Sequence, residues 1–336
     1  MSHLKLIRIE IQGFRKFRDP WVLDLLSPAD EALDYLVLAG PNGCGKTTVL
    51  EAILLALGRE ELIVRDLDSK DRATSPRVGL ELGAVLTAVV HDQTTDETCH
   101  FIRTSGGLEA KSPLADGSYS GMSLQQPESW LAPLGTEYIS SRRLPALVGS
   151  VQDGIKGRPP DNTEANRIWR LKHRVRQQQG RRVPGYTGPE PLDQQWMERL
   201  NDFWQAFRGD GTHLTMTLVD PDDLDASEWD LILYDGDRRV CSVDALSSGE
   251  QEIIAMVAPF ITEPFDGLLL IDEPELHLHP QWQGRVLRAL RTVVPQAQVI
   301  VATHADDPWD DAMSWERRLL VDEDDPRARM STEGAG

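Results

Sequence analysis

The sequence predicts a mixed α/β fold with an antiparallel flank, and three observations predict it. Short unbroken apolar runs, YLVLAG (35–40), GLLLID (267–272) and AQVIVAT (297–303), have the character of buried strands. Helical segments are interspersed with them, TTVLEAILLALG (47–58) and QWQGRVLRALRTVV (281–294). VGLELGAVLTAVV (78–90) and ETCHFIRT (97–104) read as paired strands that form the flank.

The remaining elements follow in chain order. LKLIRIEIQGF (4–14) alternates as a strand, and the helix from 47 stops at Gly58, a residue suited to a C-cap. Residues 105–135 are rich in Gly, Ser and Pro and are expected to be irregular, with EYIS (137–140) a further strand. From 145 to 192 the composition shifts to Arg, Gln, Pro and Gly, which marks an insertion or lid. DQQWMERLNDFWQAFRG (193–209) sets Trp196, Leu200, Phe203 and Phe207 on one face, a helix whose aromatic stripe suits core packing. THLTMTLV (212–219), EWDLILY (228–234), RRVCSV (238–243) and RRLLV (317–321) are strand-like. The expected organisation is a core in two parts, 1–105 and 226–322. Between them lies an insertion or lid with a basic helix, 106–225, and a disordered tail follows at 323–336.

Composition narrows the function classes. The chain has 336 residues, 40% hydrophobic and 26% charged, as an ordinary folded protein does. No apolar run approaches the roughly 18 residues of a membrane helix, and the first residues alternate rather than form a signal peptide, so a cytoplasmic protein without a membrane partner is expected. Cys44, Cys99 and Cys241 are far apart and show no CxxC spacing, which argues against a disulfide framework or a cysteine zinc site. The net charge is −19, yet residues 142–182 hold eleven Lys/Arg against three acids. That basic island, with NRIWRLKHRVR placing Ile168, Leu171 and Val175 on one face, fits either nucleic acid bound through 167–182 or a lid helix pairing with the protein's own acids.

GPNGCGKT, Gly40 to Thr47, matches GxxxxGK[ST] between a strand and a helix. Its glycines let backbone N–H groups from Asn42, Gly43, Cys44, Gly45, Lys46, Thr47 and Thr48 wrap phosphates at a helix N-terminus. Lys46 reaches the β- and γ-phosphates and the Thr47 hydroxyl helps hold Mg²⁺. GLLLIDE ends an apolar strand on two acids. Asp272 is placed to orient Mg²⁺ and Glu273 to polarise an attacking water.

LSSGEQ, Leu246 to Gln251, also fits a capping box from Ser247 to Glu250. It resembles the signature motif of ATP-binding-cassette (ABC) ATPases, with Ser248 and Gly249 the most direct matches. The resemblance implies that Ser247, Ser248, Gly249 and Glu250 serve the ATP of a second subunit, and that His304, after AQVIVAT, is the switch histidine contacting the γ-phosphate. IRIEIQGFRKF, IDEP and ELHLHP together resemble the RecF/SMC/OLD-like (AAA_21-like) branch, including ATPase subunits of anti-phage systems such as Septu and PARIS. The implied fold is a P-loop NTPase of ABC-ATPase type with a flanking antiparallel β-subdomain and a helical insertion or lid. The implied cofactors are ATP and Mg²⁺, and the implied assembly is a homodimer or higher oligomer.

Two departures shape the expected role. Only 32 residues follow His304, too few for the nuclease that OLD proteins carry, so a separate effector protein is expected. No sustained heptads occupy 105–225, unlike the long coiled coils of SMC proteins. A sensor or scaffold ATPase in anti-phage defence fits these features. A RecF-like DNA-repair ATPase is the alternative, and a transporter subunit fits least. His277 and His279 in ELHLHP lack an evident third ligand for a metal, and the resemblance places them on the D-loop at a dimer interface. The Q-loop is best sought in EYISSRRLP.

Overall fold

The computed structural model describes residues 3–64, 75–113, 128–141, 168, 171–172, 195–219, 229–276 and 278–321. The chain divides into two compact units, one of Met1–Ser141, Asp266–Leu276 and Gln296–Gly336, the other of Arg142–Phe265 and His277–Pro295. Among the described residues the helices are α1 (Lys46–Ala56), α2 (Glu60–Ile63), α3 (Glu128–Leu131), α4 (Trp196–Arg208), α5 (Ser248–Thr262), α6 (Pro280–Val293) and α7 (Asp306–Asp311).

The first unit holds two sheets. One is antiparallel, in the order β2 (Trp21–Asp24), β1 (Leu4–Gln12), β4 (Val85–Asp92), β5 (Glu97–Thr104) and β6 (Gly107–Lys111). The other is parallel throughout, in the order β13 (Arg317–Leu319), β3 (Tyr35–Ala39), β12 (Gln298–Thr303), β11 (Leu268–Asp272) and β7 (Thr136–Ile139). Every residue of β3, β11 and β12 is buried, which is why their sequences are apolar runs without alternation. Helix α1 is apolar almost all round because it packs against both sheets, and Val49, Leu50 and Ile53 to Leu57 are wholly buried in the shared core.

A polar residue stitches the two sheets together. β1 carries a bulge between Leu6 and Arg8, which interrupts its ladder with β4. Gln298, 2% exposed at the start of β12, accepts from Leu6 N–H and donates to the carbonyls of Leu6 and Leu33, each at 2.8 Å. The buried amide thus satisfies both backbone groups of Leu6, beside the bulge, and the carbonyl of Leu33.

Three expectations need correction. The strand foreseen from residue 78 begins at Val85, because the chain first turns at Gly83, whose φ of +90° favours glycine. The stretch 105–135 is not wholly irregular. Ser105 and Gly106 form a two-residue hairpin turn that pairs Thr104 with Gly107 and returns the chain as β6, and α3 follows. Residues 107–111 and 136–139, expected in the insertion, lie in sheets of the first unit, β7 through its parallel pairing with β11.

In the second unit α4, α5 and α6 accompany an antiparallel sheet of β10 (Arg238–Ser242), β9 (Trp229–Asp235) and β8 (Thr212–Leu218). Trp196, Leu200, Phe203, Trp204 and Phe207 of α4 are buried, so the aromatic stripe is core. The Arg199 guanidinium donates to Ile261 O at 2.7 Å and satisfies a carbonyl in the last turn of α5. Of the basic island only Ile168, Leu171 and Lys172 are described; its arginines and the tail at 323–336 lie outside the described residues. Lys172 is 1% exposed, with Nζ 2.8 Å from Asp230 and 2.5 Å from Asp244.

Candidate active site

Strand β3 delivers the chain to a loop whose glycines take left-handed backbone angles, with φ of +155° at Gly40, +82° at Gly43 and +108° at Gly45. Only glycine fits at Gly40, where a Cβ would lie 2.1 Å from Leu320 O. Gly45 caps α1 without any side-chain acceptor, so the first-turn N–H groups are available to an anion. Asn42 and Gly43 are exposed at the rim, Thr47 and Thr48 are half-buried, and Cys44 is buried in the core cluster. Lys46 is buried, and its Nζ donates to Gly40 O at 2.8 Å and Pro41 O at 3.1 Å, folded back over the loop.

The end of β11 brings the metal-binding candidates together. The Thr47 hydroxyl donates to the Asp272 carboxylate, at 2.9 Å to Oδ2 and 3.1 Å to Oδ1. The Ser141 hydroxyl donates to Oδ2 at 2.7 Å, placed there because β7 runs parallel to β11 with Ile139 opposite Ile271. Burial pushes the Asp272 carboxyl above its usual 3.8, against the two hydroxyl bonds, and the charges of Glu273 and Glu51 add to the rise. Two hydroxyl oxygens and a carboxylate that has no counter-charge among the described residues suit Mg²⁺.

Glu273 follows with a φ of +48°, a left-handed conformation uncommon for its type, and its N–H donates to Ala302 O at 2.8 Å. That bond holds the acid beside the end of β12, where His304 Nδ1 lies 3.5 Å from Glu273 Oε1 and 3.3 Å from Glu275 Oε1. Two of the three predicted catalytic residues, Glu273 and His304, therefore meet, and the third, Lys46, lies on the glycine loop. His277 lies outside the described residues. His279 is exposed, and its Nδ1 accepts from Gln281 N at 3.3 Å as the N-cap of α6, with Pro280 opening the helix.

In the second unit Ser247 caps α5 through a complete capping box. Its N–H donates to Glu250 Oε2 at 2.9 Å, and its Oγ accepts from Glu250 N at 3.4 Å. Glu250 also pairs with Arg208, whose guanidinium lies over the Trp204 and Trp282 rings. Ser247 and Ser248 are exposed and Gly249 half-buried, at a helix start whose geometry is fixed by that ion pair. Sequence reasoning missed Ser141, Glu275 and Arg208 as contributors. Ser141 sits in the EYISSRRLP segment singled out for the Q-loop, but nothing local to Glu275 or Arg208 announces its partner.

Comparison with known proteins finds likenesses in both sequence and fold. Residues 164–306 match the AAA_21 family model, described as "AAA domain … Type IV TA system", and residues 8–110 match AAA_23, "AAA domain". A Septu protein PtuA from Bacillus mycoides (strain KBAB4) is 26% identical over 308 residues, 88% of this chain and 38% of that protein. The "Retron Vc95 probable ATPase" of Vibrio cholerae serotype O1 biovar El Tor is 37% identical over 76 residues, 19% of this chain and 15% of that protein. The matched part is thus well under half the length of these relatives. The solved SMC head bound to the C-winged helix domain of ScpA aligns with a TM-score of 0.53 at 15% identity, covering 92% of each chain. The fold is that of an SMC head domain, and in sequence the chain is similar to AAA-domain models, to a Septu protein PtuA and to a retron probable ATPase.

Proposed function

We propose that this SMC-head-like chain binds ATP with Mg²⁺ and hydrolyses it at composite sites in a homodimer or higher oligomer, as a dimerising sensor or scaffold in anti-phage defence with a separate effector subunit. The observation that best supports the chemistry is the meeting of Thr47, Ser141 and Asp272 oxygens beside the glycine loop, with Glu273 paired to His304 on the adjoining residues.

In this reading the N–H groups of Asn42 to Thr48 and the Lys46 ammonium hold the phosphates, Lys46 exchanging its loop carbonyls for phosphate oxygens. Thr47 and Asp272 hold Mg²⁺, which when bound supplies positive charge at the β- and γ-phosphates. Glu273 polarises the attacking water and His304 contacts the γ-phosphate. Ser248 and Gly249, with Ser247 and Glu250, present the N-terminus of α5 to the ATP of the other subunit. His277 and His279 lie on the segment that meets that subunit.

The likeness to a Septu protein and a retron ATPase supports the defence setting. Among the described residues no helix is long and apolar enough to cross a membrane. For a DNA-repair role the basic segment would have to reach nucleic acid, but Lys172, its one described cation, is already paired to Asp230 and Asp244.

Glu273→Gln tests the mechanism. Turnover is expected to fall about 100-fold or more while ATP binding persists, with an ATP-dependent dimer trapped on size exclusion. Normal turnover in that variant would refute the role of Glu273. Co-purification from the native host should yield a stoichiometric second protein, and a lone ATPase would count against the effector.

A further inference from the structure

We infer that Glu275 is a positioning residue for His304: its buried carboxylate fixes the residues around the histidine and keeps the ring proton on Nδ1, leaving Nε2 to meet phosphate. What His304 does rests on the ATPase reading above, whereas how it is held does not.

Glu275 is 2% exposed, and one of its oxygens addresses only the end of β12. Oε1 accepts from the Thr303 hydroxyl at 2.6 Å and from His304 N at 3.1 Å. The Thr303 hydroxyl in turn accepts from Ala305 N at 3.0 Å. The backbone on both sides of the imidazole is thus tied to a single carboxylate oxygen. The same oxygen is 3.3 Å from Nδ1, and Glu273 Oε1 is 3.5 Å from it. Ionised carboxylates only accept, so a ring nitrogen facing two of them carries the proton, and the tautomer follows.

The other oxygen explains why an acid stands here. Glu275 Oε2 is buried without a hydrogen-bond partner among the described residues. Burying such an oxygen costs about 1–3 kcal/mol or more, and a neutral acceptor would hold Thr303 and the His304 N–H as well. What the charge adds is its attraction for the proton on Nδ1.

Glu275→Gln keeps an acceptor and removes the charge. It is expected to lower ATP turnover about 10-fold while ATP affinity stays within about twofold, and to change turnover less than about twofold in a His304→Ala background. Equal factors in both backgrounds overturn the inference. Imidazole ¹⁵N spectra of the nucleotide-free protein at about pH 8 read the ring directly, with His304 identified by its loss in His304→Ala. A proton on Nδ1 in the wild type that shifts toward Nε2 in Glu275→Gln is expected; an unchanged tautomer overturns the inference. If Glu275→Gln fails to fold, the wild-type spectrum decides alone, and a ring proton on Nε2 rather than Nδ1 overturns the inference. A wild type that hydrolyses no ATP but whose His304 tautomer depends on Glu275 sinks the ATPase reading and leaves this inference standing.

Discussion

Glu51 and Asp272 are both acids sunk in the first unit, and the chain treats them in opposite ways. Glu51, on α1 and 1% exposed, is flanked by two guanidinium groups. Arg15 Nη2 lies 2.5 Å from Oε2, an ion-pair contact rather than a well-aligned hydrogen bond, and Arg77 pairs with Oε1. Asp272, with no exposed surface, has the hydroxyls of Thr47 and Ser141 and, among the described residues, no cation. A carboxylate that serves the fold is given its counter-charge by the chain itself. In the proposed reading, Asp272 is left short of it for a metal ion that comes and goes with the nucleotide.

The comparison breaks first at Glu51. Glu51→Ala leaves two arginines without their acid and is expected to cost about 3–5 kcal/mol, seen as a large fall in thermal midpoint. A small fall would mean that Arg15 and Arg77 are hydrated. Asp272→Asn should move stability the other way. Because the native state raises the Asp272 pKa, it binds more protons than the unfolded chain between 3.8 and the raised value, so stability falls as pH rises through that window. At neutral pH the neutral amide escapes this cost, and both neighbouring hydroxyls can turn to accept from it. Calorimetry without nucleotide at pH 7.5 should show a midpoint higher by about 2–4 °C, a gain that shrinks toward pH 4, while Mg²⁺-dependent turnover is lost.

The next two effects are smaller. Gln298→Leu strands the Leu6 and Leu33 backbone groups and is expected to cost about 1–3 kcal/mol without altering the Mg²⁺ requirement. Ser141→Ala should leave the midpoint nearly unchanged and raise the Mg²⁺ concentration for half-maximal turnover about 3–10-fold. An unchanged Mg²⁺ requirement would remove Ser141 from the site.

What the sequence revealed divides along the same line. The glycine loop at Gly40–Thr47 and Asp272 at the end of its strand were legible because each is built from contiguous residues. Tyr35–Ala39 and Gln298–Thr303 were legible because strands buried on both faces must be apolar. Ser141, Glu275 with Thr303, and Glu51 with Arg15 and Arg77 were not, since each joins residues that only the fold brings together. β6 was missed because glycine and serine serve a tight hairpin turn as readily as an irregular loop. The bulge at Leu6 had no trace in an otherwise alternating strand.

The parallel sheet also sets an order of assembly during translation. β3 lies between β12 and β13, so Tyr35 must await Val299 and Val37 must await Arg317 before either edge of that strand is paired. At about 5–20 residues per second the ribosome leaves β3 without its neighbours for tens of seconds. Contacts so distant in sequence form slowly even after release, and an unpaired apolar strand is the kind of surface on which chaperones act. Gly40, which presses against Leu320, cannot take its final place any sooner. The glycine loop at Gly40–Thr47 therefore takes its final shape only after the chain through Leu320 has been made.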